Sequence, residues 1–264
     1  MSTDSDTSTD TGAVLNVESG SRRAELVRLF LQPAAAIVLV VAVLVWAFNT
    51  DLDALEVVTL NPTTLLRTTW EHVLITIAVT VMVVVVAIPL GVVLTRRWAK
   101  PIAPIFVGIA TIGQAAPAIG VIVLYFLLTQ QEGLWAAAIP LAFVSLLPVL
   151  RNTMVGIQQV DPALVDAGRG VGMSAFTVLW RVELPLAVPL ILAGLRTSLV
   201  LAVGTATLAL FVNGGGLGFI IDTGYKIART PVLLTGATLA VALALIVDWL
   251  GALAERYLGP KGLR

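Results

Sequence analysis

The sequence predicts an all-α membrane protein with six transmembrane helices, and three observations lead there. Of its 264 residues, 58% are hydrophobic and only 12% charged, whereas a soluble domain carries roughly 25% charged residues. Mean hydropathy is +0.98, too apolar for the chain to hide inside one water-soluble core. The apolar residues fall into six stretches, at about 31–48, 72–95, 102–128, 134–150, 186–212 and 232–254. Each is near or above the ~20 residues that carry a helix across ~30 Å of hydrocarbon. The run Val81 to Ile88 does not alternate in polarity, as a barrel strand would.

Taken in order, residues 1–30 are rich in Ser, Thr and Asp and end in Arg22, Arg23 and Arg28. Such a segment cannot bury enough surface to offset the entropy of ordering and is expected to be a disordered cytoplasmic tail. The 31–48 stretch follows positive charge as a signal-peptide core would, but no small-x-small cleavage pattern precedes Asp51. It is therefore expected to be a retained span. His72, beside Glu71, stands where the second stretch begins and is expected to anchor that helix at the interface. The third stretch is interrupted by Gly108, Gly113, Gln114, Pro117 and Gly120. It is expected to bend, which suits close packing and a translocation path equally. Arg196 and Asp248 lie inside the fifth and sixth stretches, near their inner ends, and are expected to pair or to snorkel. The glycines Gly214, Gly215, Gly216 and Gly218 are expected to form a turn at the outer mouth. Tyr125, Phe126, Trp135 and Phe211 fall near the same side, where aromatic belts place such residues anyway.

Charge excludes several functions. The 16 Lys and Arg balance the 16 Asp and Glu, so no basic field is present to hold nucleic acid. With no Cys and a single His, Cys/His metal sites and most catalytic pairs of an intramembrane enzyme are missing. With the N-terminus inside, Arg22, Arg23, Arg28, Arg96, Arg97, Lys100, Arg151, Arg169, Arg181, Arg256, Lys261 and Arg264 fall on the inner side, and Arg67, Lys226 and Arg229 on the outer. That bias predicts a multi-pass protein of the cytoplasmic membrane with both termini cytoplasmic.

The loop from Asp161 to Pro185, between the fourth and fifth stretches, is the most informative segment. Asp161 followed by Pro162 starts a short helix. Gly168, Gly170 and Gly172 favour a stop and a turn. Ser174 caps a second short helix whose Phe176, Leu179 and Trp180 share one apolar stripe, with Asp166, Arg169, Arg181 and Glu183 around it. A helix so presented docks into a partner's groove or rests in the lipid interface. A side chain at Gly172 is expected to break the turn, through φ restriction or by blocking a close approach.

This segment resembles the signature loop of the permeases of ABC importers: Glu-Ala-Ala, three residues, Gly, nine residues, Ile-x-Leu-Pro. Asp166-Ala167-Gly168 stands for the first triplet, Gly172 for the glycine, Met173 to Arg181 for the nine, and Val182-Glu183-Leu184-Pro185 for the close. Over residues 65–254 the chain is similar to permeases of osmoprotectant importers, those for glycine betaine, choline, carnitine and proline. The stretches that carry the likeness are Glu71-His72-Val73, Leu146 to Leu164, Val182 to Ser198 and Gly204 to Gly218. The resemblance implies a five-span permease core over 65–254, with the 31–48 helix as an additional N-terminal span and 255–264 as a cytoplasmic tail. It implies that Asp166, Ala167, Gly168, Gly172, Leu184 and Pro185 couple the subunit to partner ATPases. It implies further partners: an extracytoplasmic solute-binding protein and a second copy or a similar permease.

No Gly-Lys dipeptide occurs in these residues, so the phosphate-binding loop G-x-x-x-x-G-K-[ST] is absent. ATP and Mg are expected on the partner ATPase, with no cofactor and no catalysis in this chain. The alternatives are an ion-coupled secondary transporter, which gives the 161–185 loop no role, and an importer for another small solute.

Overall fold

The computed structural model describes residues 30–258, so the acidic tail and the basic stretch before the first span lie outside the described residues. The described chain is helical: α1 (Phe30–Phe48), α2 (Ala54–Thr59), α3 (Pro62–Leu94), α4 (Ala103–Ala115), α5 (Ala118–Thr129), α6 (Leu134–Gln158), α7 (Pro162–Gly170), α8 (Ala175–Val178), α9 (Leu184–Ala206), α10 (Gly218–Lys226) and α11 (Thr230–Leu258). Short caps set these boundaries. Asp53 and Glu56 form a reciprocal capping box on α2, and the Asn61 side chain accepts from Thr64 N ahead of Pro62 on α3.

Five helical runs are long and apolar enough to cross a membrane, and the third stretch is a pair, α4 with α5, bent by 102° at Ala116–Pro117. The contacts of its ends show that the pair still carries the chain from one face to the other. Just past the end of α3, Arg96 is ion-paired with Glu183 before α9, which puts those two helix ends on one face of the bundle. After α5, Gly133 N–H donates to Val212 O at 2.8 Å, at the far end of the α9 run, the continuous helical stretch Ala175–Val212 that contains α9. Six crossings result. Pro117 has no N–H to continue a ladder, so the break falls there.

Several spans differ in length from the apolar stretches. α3 begins ten residues before His72, because Asn61 and Pro62 start it. α6 continues past 150 to Gln158, and α11 past 254 to Leu258. Polar turns at a helix end emerge from the hydrocarbon without ceasing to be helix, and hydropathy alone does not see them.

α6 lies at the centre: 61% of its apolar window is buried, against 11% for α1. Pro140 inside α6 is buried and Pro148 half-buried. Without a hydrophobic force between helices in lipid, close backbone approach carries association. Gly91 of α3 sits so near α6 that a Cβ there would lie 2.8 Å from the Thr153 side chain. Gly194 of α9 leaves only 2.7 Å to Pro148 O and Asn152 Cβ. α1 packs at the edge: Ala47 joins Leu60, Leu217, Ile220 and Val232 in a small cluster, and Gln32 Nε2 donates to Asp248 Oδ2 at 2.7 Å on α11.

Candidate functional site

The inner loop is a helix, a tight turn and a second helix. Asp161 accepts from Ala163 N at 2.8 Å, and α7 then runs through Gly168 to Gly170 rather than stopping there. Gly168 is instead a packing residue: a Cβ there would stand 3.4 Å from Val178 Cγ2 and 3.6 Å from Met173 Sδ, where α7 meets α8. The turn itself is at Gly172, with φ +89° and nothing within 4 Å of a Cβ position. Within this chain, φ restriction is therefore the constraint that requires glycine there. Met173 N–H closes the turn on Gly168 O at 3.1 Å.

Ser174 caps α8 by accepting from Thr177 N. One wide π-helical turn, Leu179–Glu183, then joins α8 to α9 without a break. Pro185 follows directly at the start of α9, where its missing N–H leaves one bond to the preceding turn unmade. Phe176 and Trp180 are exposed, with ring centroids 6.0 Å apart, and Leu164 and Val171 are exposed beside the turn. Leu179 is only half-exposed, so the surface stripe is narrower than the spacing predicts. Asp166, Ala167 and Gly172 are exposed, Leu184 is half-buried and Gly168 is buried.

Glu183 is a correction. The sequence pattern groups it with the solvated charges, but the wide turn rotates it inward. It is buried and ion-paired with Arg96, whose Nη1 also donates to its Oε1 at 3.2 Å. This pair ties the π turn to the end of α3, so the loop is braced against the bundle at one point.

At the outer face, His72 is a second correction. It is fully buried in the bundle rather than presented to the lipid interface, nearly three turns into α3. Its Nδ1 accepts from Leu217 N at 3.3 Å and its Nε2 lies 2.9 Å from Val203 O. Those partners require a neutral ring with hydrogen on Nε2. The adjacent Glu71 accepts from Gly216 N at 3.0 Å. Two neighbouring α3 side chains thus hold the glycine turn that follows the α9 run, the turn at positive φ (Gly215 +79°, Gly216 +88°) expected there.

Arg196 and Asp248 do pair, at 2.5 Å (Nε–Oδ1) and 2.7 Å (Nη2–Oδ2). They stand deeper than the inner helix ends, Arg196 being the thirteenth of 23 residues in α9. Asp53, on the outer connection, meets Arg229 at 2.6 Å. The Glu56 backbone N–H, and then the Arg229 charge, hold the Asp53 carboxyl below the usual carboxylate range against partial desolvation.

The chain is thus a bundle of membrane-spanning helices with a braced helix–turn–helix on one face. The model of binding-protein-dependent transport system inner membrane components matches residues 87–259, and the chain belongs to that family. It is 41% identical over 200 residues to the choline transport system permease protein OpuBB of Bacillus subtilis, covering 76% of this chain and 91% of that protein. It is 40% identical, with the same coverage, to the glycine betaine/carnitine/choline transport system permease protein OpuCB of the same organism. Among solved structures it resembles the MetNI methionine ABC transporter in inward-facing conformations, with TM-score 0.65 and 24% identity over 74% of this chain and 96% of that one. That likeness shows the fold.

Proposed function

We propose that this chain is the translocation subunit of an ATP-driven importer of small osmoprotectants such as glycine betaine, choline, carnitine or proline. In this reading its core spans 65–254 and α1 is an additional span. Both termini face the cytoplasm, and the 161–185 loop receives the motion of two partner ATPases that carry ATP and Mg. A solute-binding protein delivers cargo from outside, and a second permease copy or a similar chain completes the path. The names of the relatives support the solute class.

The observation that carries the coupling role is the exposed apolar surface of Leu164, Val171, Phe176 and Trp180 on a loop that runs unbroken into α9. A push on that surface reaches a membrane-spanning helix without crossing a flexible joint. Asp166, Ala167, Gly168, Gly172, Leu184 and Pro185 set its shape, and none performs catalysis.

The test is uptake of labelled glycine betaine at high osmolarity by cells lacking this subunit, with the ATPase and binding protein co-expressed. Wild type restores uptake. Gly172→Asp, which strains the turn and charges the docking face, is expected to reach the membrane folded and to restore none. Full uptake by that variant refutes the coupling role, and failure of wild type redirects the search to another solute.

A further inference from the structure

Beside the Arg196–Asp248 pair lies a cavity of about 550 Å³, walled by Ala193, Thr197 and Val200 of α9 and reaching Glu255 of α11. Arg196 Nη1 is 3.5 Å from Glu255 Oε2, and the three charged side chains are 33%, 25% and 28% exposed (Arg196, Asp248, Glu255). They stand on two membrane-spanning helices, so lipid is the wrong neighbour for an exposed guanidinium and two carboxylates. Ionisable groups at such depth face a protein interior or a water-filled space. Among the described residues they are partly exposed rather than enclosed.

The cluster sums to one net negative charge. Asp248 is committed on both oxygens, Oδ1 to Arg196 Nε and Oδ2 to Arg196 Nη2 and Gln32 Nε2. Glu255 meets Arg196 through a single contact of 3.5 Å, so its charge is less neutralised than that of Asp248. A methylated ammonium group has no N–H to donate, and it is held by negative field and by methyl contact. Ala193 and Val200 supply the methyl contacts and Glu255 the field. Thr197 faces the cavity with its hydroxyl turned back to Ala193 O at 3.1 Å, so it makes no competing demand on a cation.

We infer that this cavity, between α9 and α11 in the inner half of the bundle, is a solute site for a quaternary ammonium group on its way through the subunit. The inference rests on the importer reading above and adds the place and chemistry of contact.

The chain contains no Cys, so single cysteines report without background. Thr197→Cys in the full importer is treated with a charged methanethiosulfonate, with Val38→Cys on the outward surface of α1 as the lipid-facing control. Because only a hydrated thiolate reacts, Thr197→Cys is expected to label at least about tenfold faster than Val38→Cys. Saturating glycine betaine is expected to slow it, and Glu255→Gln in the Thr197→Cys background to abolish that protection. Labelling as slow as the control overturns the inference, as does fast labelling that glycine betaine leaves unchanged, or protection that survives Glu255→Gln. Uptake measured alongside tests the importer reading separately, since labelling and protection need no turnover.

Discussion

Substitution at Gly172 separates a conformational from a steric reason for glycine in the coupling turn. Its φ is +89° and no atom lies within 4 Å of a Cβ there, so a side chain meets no neighbour and the whole cost is backbone strain. An L-residue in the left-handed region costs roughly 1–2 kcal/mol, a factor of about 5–30 in the population of the turn. Asn is several-fold enriched at positive φ, while a β-branched residue is a true outlier there. ATP-dependent uptake by the reconstituted importer is therefore expected to fall in the order Gly, Asn, Ala, Val. Basal ATP hydrolysis by the partner subunits is expected to remain. The critical comparison is Asn against Ala, since Asn is larger but less strained. If Gly172→Ala transports as well as or better than Gly172→Asn, the turn is constrained by size at a docked partner, and the strain argument fails.

Gly168→Ala is expected to keep uptake and to raise the melting temperature of the purified protein, because a Cβ makes ordinary contacts there. Ala is favoured over Gly inside a helix by roughly 1 kcal/mol. Glu183→Ala leaves the partly exposed Arg96 without its partner and is expected to cost about 1–3 kcal/mol; an unchanged unfolding midpoint refutes the bracing role of that pair. His72→Leu orphans the buried Leu217 N–H, at about 1–3 kcal/mol, and is expected to raise hydrogen exchange at residues 213–218. Since Asp53 is held below its ordinary pKa, the stability it contributes is present above the unfolded value and is lost as pH falls through the folded one. Exchange in residues 49–61 is therefore expected to rise only on acidification below about pH 4, and Asp53→Asn is expected to remove that dependence.

The spans, the inner loop and the glycine turn were legible because each rests on local chemistry: apolar run length, cap residues, and residues that tolerate positive φ. Asp161, Ser174 and Pro185 act where their types predict. What escaped is what depends on rotation about a helix axis or on distant partners. Glu183 reads as a surface charge until the π turn swings it toward Arg96, 87 positions away. His72 reads as an interfacial residue because hydropathy starts the helix at 72, whereas Asn61 and Pro62 start it at 62. The Asn61-Pro62 pair was the available signal, and with it the histidine falls inside the bundle.

That displacement changes what α3 does. Glu71 and His72 together hold Gly216, Leu217 and Val203, at the outer end of the same helical run whose inner end carries the coupling turn. Arg96 at the other end of α3 holds Glu183. α3 is thus bonded to the α9 run near both faces. A push on the inner loop that shifts α9 relative to α3 must loosen one of these attachments or carry α3 with it. Glu71→Ala removes the outer acceptor while leaving the inner pair intact. If the helices move relative to one another, it is expected to raise basal ATP hydrolysis and to lower the uptake achieved per ATP. Unaltered stoichiometry in that variant shows instead that α3 and α9 travel as one body.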